Sequence, residues 1–160
     1  MPIPTRFTQY ALSLVVSLAL SGTAYGASDI AISQIYGGGG NSGATLKNDF
    51  IELFNRGSVA VSLAGWSVQY ASSTGSSWQK TTLSTVTLQP GQYLLIQENA
   101  GAGGTVDLPT PDTTGVISMS ASAGKVALRS NDTVFASGTV CPTGTDVIDL
   151  VGYGPATNCS

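Results

Sequence analysis

Trp66-Ser67-Val68-Gln69-Tyr70 alternates large apolar and polar residues at every second position. That period belongs to a half-buried β-strand, because successive side chains of an extended chain point to opposite faces. The same reading extends outward in both directions. Upstream, Ile30, Ile32 and the Ile35-Tyr36 pair form a first strand, and Asp49-Phe50-Ile51-Glu52-Leu53-Phe54-Asn55 forms a second. Downstream, Val86-Thr87-Leu88 precedes the turn Gln89-Pro90-Gly91. Tyr93-Leu94-Leu95-Ile96-Gln97 is nearly all apolar and is predicted to lie centrally in a sheet. Lys125 to Arg129 alternates again, Thr133 to Phe135 is a short strand, and Val147 to Val151 closes the series.

Turn residues separate these runs at Arg56-Gly57, Gly65, Ala123-Gly124 and Asn131-Asp132, and no convincing amphipathic helix appears among them. Roughly seven or eight short strands with regular turns predict an all-β, immunoglobulin-like two-sheet β-sandwich. A closed barrel is the alternative architecture. Two stretches are loops. Gly37 to Gly43 is expected to be a flexible inter-strand connection. Asn99 to Thr114, rich in Gly, Pro and Thr, is too long for a hairpin turn; it reads as a functional loop or a connection between sheets.

Residues 1–26 have the layout of a secretory signal peptide. Arg6 supplies the positive start, Tyr10 to Leu20 a short apolar run, and Ala24 and Gly26 the small residues before a cut at Ala27. The apolar run is short of the about 20 residues that a membrane span requires. The mature domain is therefore expected at 27–160, secreted or extracellular, with a periplasmic location as the variant of the same route. It keeps five basic residues against nine acids, a net charge of −4. That charge offers no broad footprint for nucleic acid. In an exported chain the even pair Cys141 and Cys159 reads as a disulfide, which contributes roughly 3 kcal/mol for a loop of this size.

Chemistry is hard to build from this composition. There is no histidine, so the common general base and the commonest metal ligand are both missing. Paired carboxylates are the remaining acid–base machinery. Asp49 and Glu52 sit three apart on a strand and point to opposite faces, and Asp146 and Asp149 do the same. Asp107 and Asp112 share the long loop and are the candidates for a weak calcium site, although solvated loop acids explain them as well. Gly38, Gly40 and Gly43 match Gly-x-Gly-x-x-Gly, yet no helix follows to hold a pyrophosphate, and Ala44 stands where a phosphate-loop lysine belongs. No cofactor and no catalytic residue is expected. Glu52, inside an apolar run, reads as a structural polar anchor or a solvent-face residue, with Arg56 and Lys47 as nearby partners. Of the two tryptophans, Trp66 reads as core. Trp78, after the Ser/Thr/Gly turn 72–77, reads as partly exposed and is the candidate ligand contact of a carbohydrate-binding module.

Several separated motifs together resemble the lamin tail domain family, and its bacterial, exported branch in particular. They are Ile35 to Ala44, Asp49 to Asn55, Leu63-Ala64-Gly65-Trp66-Ser67-Val68, Leu88 to Ile96 and Val151-Gly152-Tyr153-Gly154, in the family's order. The resemblance covers about Ile30 to Cys159. It implies an immunoglobulin-like sandwich with a binding or tethering role and no catalytic residue to carry over. It further implies that such domains accompany a secreted hydrolase of nuclease or phosphatase type. This chain is then either a module on its own or the N-terminal part of a longer enzyme whose active domain lies beyond Ser160. The partner is expected to be an extracellular polymer or protein.

Overall fold

The computed structural model describes residues 29–159, so the expected leader at 1–26 lies outside the described residues. In chain order the strands are β1 (Ile30–Tyr36), β2 (Asn48–Asn55), β3 (Val61–Ser62), β4 (Ser67–Ser72), β5 (Gln79–Thr82), β6 (Thr87–Leu88), β7 (Tyr93–Ala100), β8 (Thr113–Thr114), β9 (Gly124–Arg129) and β10 (Val147–Tyr153). They form two four-stranded sheets, β1-β2-β7-β8 and β10-β9-β4-β5, and a small β3-β6 pair. All pairings are antiparallel except β7 with β8. This is the expected immunoglobulin-like sandwich rather than a closed barrel, and β7 is central as its apolar run predicts.

The period-two pattern places the core. Along β2 the residues Asp49, Ile51, Leu53 and Asn55 are buried, and those between them are half-buried. Ile51 and Leu53 meet Leu94 and Ile96 of β7, with Val68 and Tyr70 of β4 and Val126 and Leu128 of β9 across the interface. Burying each such aliphatic side chain contributes about 2 kcal/mol before chain entropy is set against it.

The second sheet departs from the half-buried reading of WSVQY. Ser67 to Ala71 and Gly124 to Leu128 are buried on both faces. Residues 130–146 run across the outer face as a cover, and Phe135 packs there with Ala71, Trp78 and Ala127. The expected strand at Thr133 to Phe135 is part of this cover and forms no ladder. Its backbone bonds to a side chain instead: Gln69 Nε2 donates to Thr133 O at 2.9 Å, and Phe135 N donates to Gln69 Oε1 at 3.0 Å.

The glycine-rich loop is packed, not flexible. Gly103 N donates to Gly40 O at 2.7 Å, and Gly40 N donates to Leu46 O at 2.8 Å. A Cβ on Gly39 would lie 1.9 Å from the Asn48 carbonyl carbon, inside any tolerable contact. The long loop folds onto the same region, where Val106 N donates to Thr45 O at 2.9 Å and Lys47 N to Val106 O at 3.0 Å. Two backbones approach closely here because neither carries side chains at the crossing.

Gly39→Ala should therefore cost several times more stability than Gly43→Ala. Gly43 has φ of +82° but open space around its Cα, so alanine there costs about 1 kcal/mol. Urea unfolding of both variants measures the difference, and coincident midpoints would contradict the close approach.

Candidate functional site

Two buried acids close one end of the sandwich. Asp49 and Glu98 occupy inward positions of β2 and β7. Gly39 N and Met119 N each donate to Asp49 at 2.8 Å, and Ile117 N donates to Glu98 Oε2 at 2.9 Å. Tyr70 Oη accepts from Ser120 N at 3.0 Å, while Tyr153 Oη donates to Ser120 O at 2.7 Å. The strap from Gly115 to Ser120 bonds to the β7 backbone at Gly115 N to Gln97 O, 2.7 Å, and Asn99 N to Ile117 O, 3.0 Å, and side chains meet further amides of the strap. Burial pushes both acids above the ordinary carboxylate range, against the lowering effect of these bonds. Burial likewise raises Tyr153. Glu98 Oε1 and Thr81 Oγ1 are the buried side-chain polar atoms without a well-formed hydrogen bond among the described residues. The nearby Thr81 hydroxyl favours the ionised form of Glu98 and opposes the effect of burial.

A second polar construction lies under the cover. Lys125 is 0% exposed. Its three ammonium donors meet Gly75 O at 2.7 Å, Val140 O at 2.7 Å and Asn158 Oδ1 at 3.3 Å, and the Trp78 ring lies 5.5 Å away. Desolvation lowers its pKa. Val140 and Asn158 are the chain neighbours of Cys141 and Cys159, which form a disulfide with Cα atoms 5.6 Å apart. Lysine and disulfide therefore fasten the same two segments.

Trp78 belongs to this construction and is 8% exposed. Its indole N–H donates to Thr139 O at 2.8 Å, and its ring meets Phe135 edge-on at 5.0 Å. The expected exposed ligand contact is corrected: Trp78 is a core residue of the cover, while Trp66 is the half-buried one of the pair. A cleft of about 440 Å³ beside the disulfide is lined by Arg129, Phe135 and Pro142. Its guanidinium is already held by Asp146 and the Thr133 carbonyl and stacked on Phe135. The pairing with Arg129 holds the Asp146 carboxyl below its usual range.

The remaining candidate acids take separate partners. Asp107 pairs with Lys47 at 2.9 Å, and Asp112 Oδ2 accepts from Leu95 N at 2.8 Å. The long loop thus commits each of the calcium candidates to a different bond. No group of three or more potential metal-ligating side chains occurs among the described residues. Asp149 Oδ2 accepts from Ile32 N at 2.8 Å and ties β10 to β1 beside the bulge at Ser33. Glu52 faces outward and accepts from Ser33 Oγ at 2.6 Å, while Lys47 pairs with Asp107.

Glu52 sits in the middle of a face that the sequence reading passed over. The register of β1, β2 and β7 aligns three outward rows: Ala31, Phe54 and Tyr93; Gln34, Glu52 and Leu95; Tyr36, Phe50 and Gln97. Tyr36 stacks on Phe50 at 5.5 Å, and Phe54 meets Tyr93 at 4.5 Å. Tyr93 is 58% exposed. Among the described residues no second buried cluster forms over this face, in contrast to the covered sheet. The signal was present in the even positions of Phe50, Glu52 and Phe54, which carry the parity opposite to Ile51 and Leu53.

These features define a disulfide-fastened, immunoglobulin-like β-sandwich whose buried ionisable groups hold backbone in place. The chain belongs to the lamin tail domain family, whose model matches residues 23–155. Comparison with curated proteins returned no match.

Two outcomes test this site. Trp78→Ala should destabilise the fold by about 3–5 kcal/mol, as truncation of a buried aromatic does; a variant of unchanged melting temperature would contradict its burial. Glu98 is raised from the ordinary 4.5, so its stabilising contribution is fully present below that value and fades as pH rises through its folded pKa. Glu98→Gln, which does not ionise, should flatten that decline relative to the parent chain in pH-dependent thermal unfolding. Parallel profiles would place the proton linkage elsewhere.

Proposed function

We propose that this chain is an exported, non-catalytic binding module that tethers a partner, or an enzyme joined to it, to an extracellular polymer. The observation that carries this reading is how its functional groups are divided. The inward acids accept backbone amides, Lys125 is enclosed by carbonyl oxygens, and the outward face of β1, β2 and β7 presents aromatic rings over which the described residues form no second buried cluster. Chemistry needs ionisable groups converging on a substrate; recognition needs accessible rings with polar groups at their rim. This chain has the second arrangement. The disulfide fits an oxidising compartment. No helix among the described residues is long and apolar enough to cross a membrane. Should the module be joined to a secreted nuclease or phosphatase, as the family's exported branch suggests, it supplies attachment and the partner domain supplies the reaction.

Two measurements test the reading. N-terminal sequencing of the exported product should begin at Ala27; retention of residues 1–26 would make the leader an anchor. The purified chain should leave DNA and phosphoester substrates intact in the presence of magnesium or calcium. Hydrolysis that scales with protein and disappears with chelator would end the non-catalytic assignment.

A further inference from the structure

We propose that the outer face of β1, β2 and β7 binds an extended, uncharged polysaccharide; this deepens the binding-module reading and rests on it. The face has a repeating chemistry. Its two ends are ring pairs, Tyr36 with Phe50 and Phe54 with Tyr93. Phe50 and Phe54 stand four positions apart on β2, which at strand rise is about 13 Å. Between them lies the row Gln34, Glu52 and Leu95, with Ser33 beside Glu52, so its polar groups sit on β1 and β2. A pyranose presents C–H groups on its faces and hydroxyls around its rim. The C–H face suits the electron-rich face of an aromatic ring. The hydroxyls suit a carboxylate and amides placed between the rings.

Charge selects among partners. The outward positions of these strands carry one carboxylate, Glu52, and no lysine or arginine. Arg56 falls past the end of β2. A nucleic acid or polyuronate needs several cations to replace its counterions, and this face does not offer them. A second copy of the chain stacked about a two-fold axis through the central row would set Glu52 against its own mate. A wholly apolar protein surface would strip water from the same carboxylate without returning enough hydrogen bonds. A neutral polyhydroxylated chain covers the rings and still solvates Glu52.

The test is depletion and affinity electrophoresis of the full chain with cellulose, chitin, xylan and mixed-linkage β-glucan, with polygalacturonate and duplex DNA in parallel. The proposal expects retention by at least one neutral polysaccharide, insensitive to salt because no ion pair is formed. Tyr93→Ala should weaken that retention about tenfold, the scale of one lost ring contact, and Tyr93→Phe should keep it. Tyr93 is exposed, so both variants should melt with the parent chain. Absence of retention by every neutral polysaccharide would overturn the proposal, as would retention unchanged in both Tyr93→Ala and Phe54→Ala. Salt-sensitive binding of DNA or polygalacturonate, or a dimer, that Tyr93→Ala abolishes would overturn the ligand chemistry while leaving a binding module. Hydrolysis by the chain would instead remove the reading on which the proposal rests.

Discussion

The structure depends on two carboxyl groups that hold backbone amides. Asp49 and Glu98 sit on the inward parity of adjacent strands, where the rest of each strand contributes Ile51, Leu53, Leu94 and Ile96 to the core. A buried acid is costly unless it is hydrogen-bonded. These two meet that cost by fixing the strap at Ile117 and Met119, and Asp49 also fixes Gly39 at the start of the glycine loop. The strap then carries Ile117 and Met119 inward as apolar closure for the end of the core. One carboxylate thus joins two segments far apart in sequence, and the polar and apolar parts of the closure require one another.

The two sheets resolve their outer faces differently, and the difference follows from side chains of opposite parity. On β4 and β9 the outward positions are Ser67, Gln69, Ala71, Lys125 and Ala127. Small residues leave room for a second layer, while Gln69 and Lys125 supply the hydrogen bonds that a strandless cover needs. Lys125 is a cation met by neutral oxygens and by an aromatic face among the described residues. The disulfide then limits how far the fastened segments can separate. On β2 and β7 the outward positions are large: Phe50, Phe54, Tyr93 and Leu95. Phe54 packs on Tyr93, and Phe50 stacks on Tyr36 of β1.

Much of this fold was legible because strand parity is a local property. The runs at Ile30 to Tyr36, Asp49 to Asn55, Tyr93 to Gln97 and Lys125 to Arg129 appear as strands close to their read positions. What was not legible depended on distant chain. WSVQY reads as one-sided because nothing near it announces that residues 130–146 return to cover it. Trp78 reads as exposed because its turn is polar, while Phe135 and Thr139, which bury it, lie some sixty residues on. Gly37 to Gly43 reads as flexible because glycine permits freedom; here the same lack of a side chain permits contact with Gly101 and Gly103. Asp49 and Glu98 could have been found, since each is a carboxylate on the apolar parity of its strand.

Parity also explains how one short module keeps its aliphatic interior and its aromatic outer face apart. Glu52 and Asp49 lie on the same strand and differ by an odd number of positions, so one faces outward and the other serves closure. A one-residue slip of β2 would exchange them, placing Phe50 and Phe54 inside and Ile51 and Leu53 outside. The register is held against that slip by the bond from Asp49 to Met119 at one end of β2. At the other end Asn55 is buried and donates to Leu88 O at 2.8 Å. The buried polar termini of β2 therefore do more than satisfy themselves, because they decide which side chains of the strand meet the solvent.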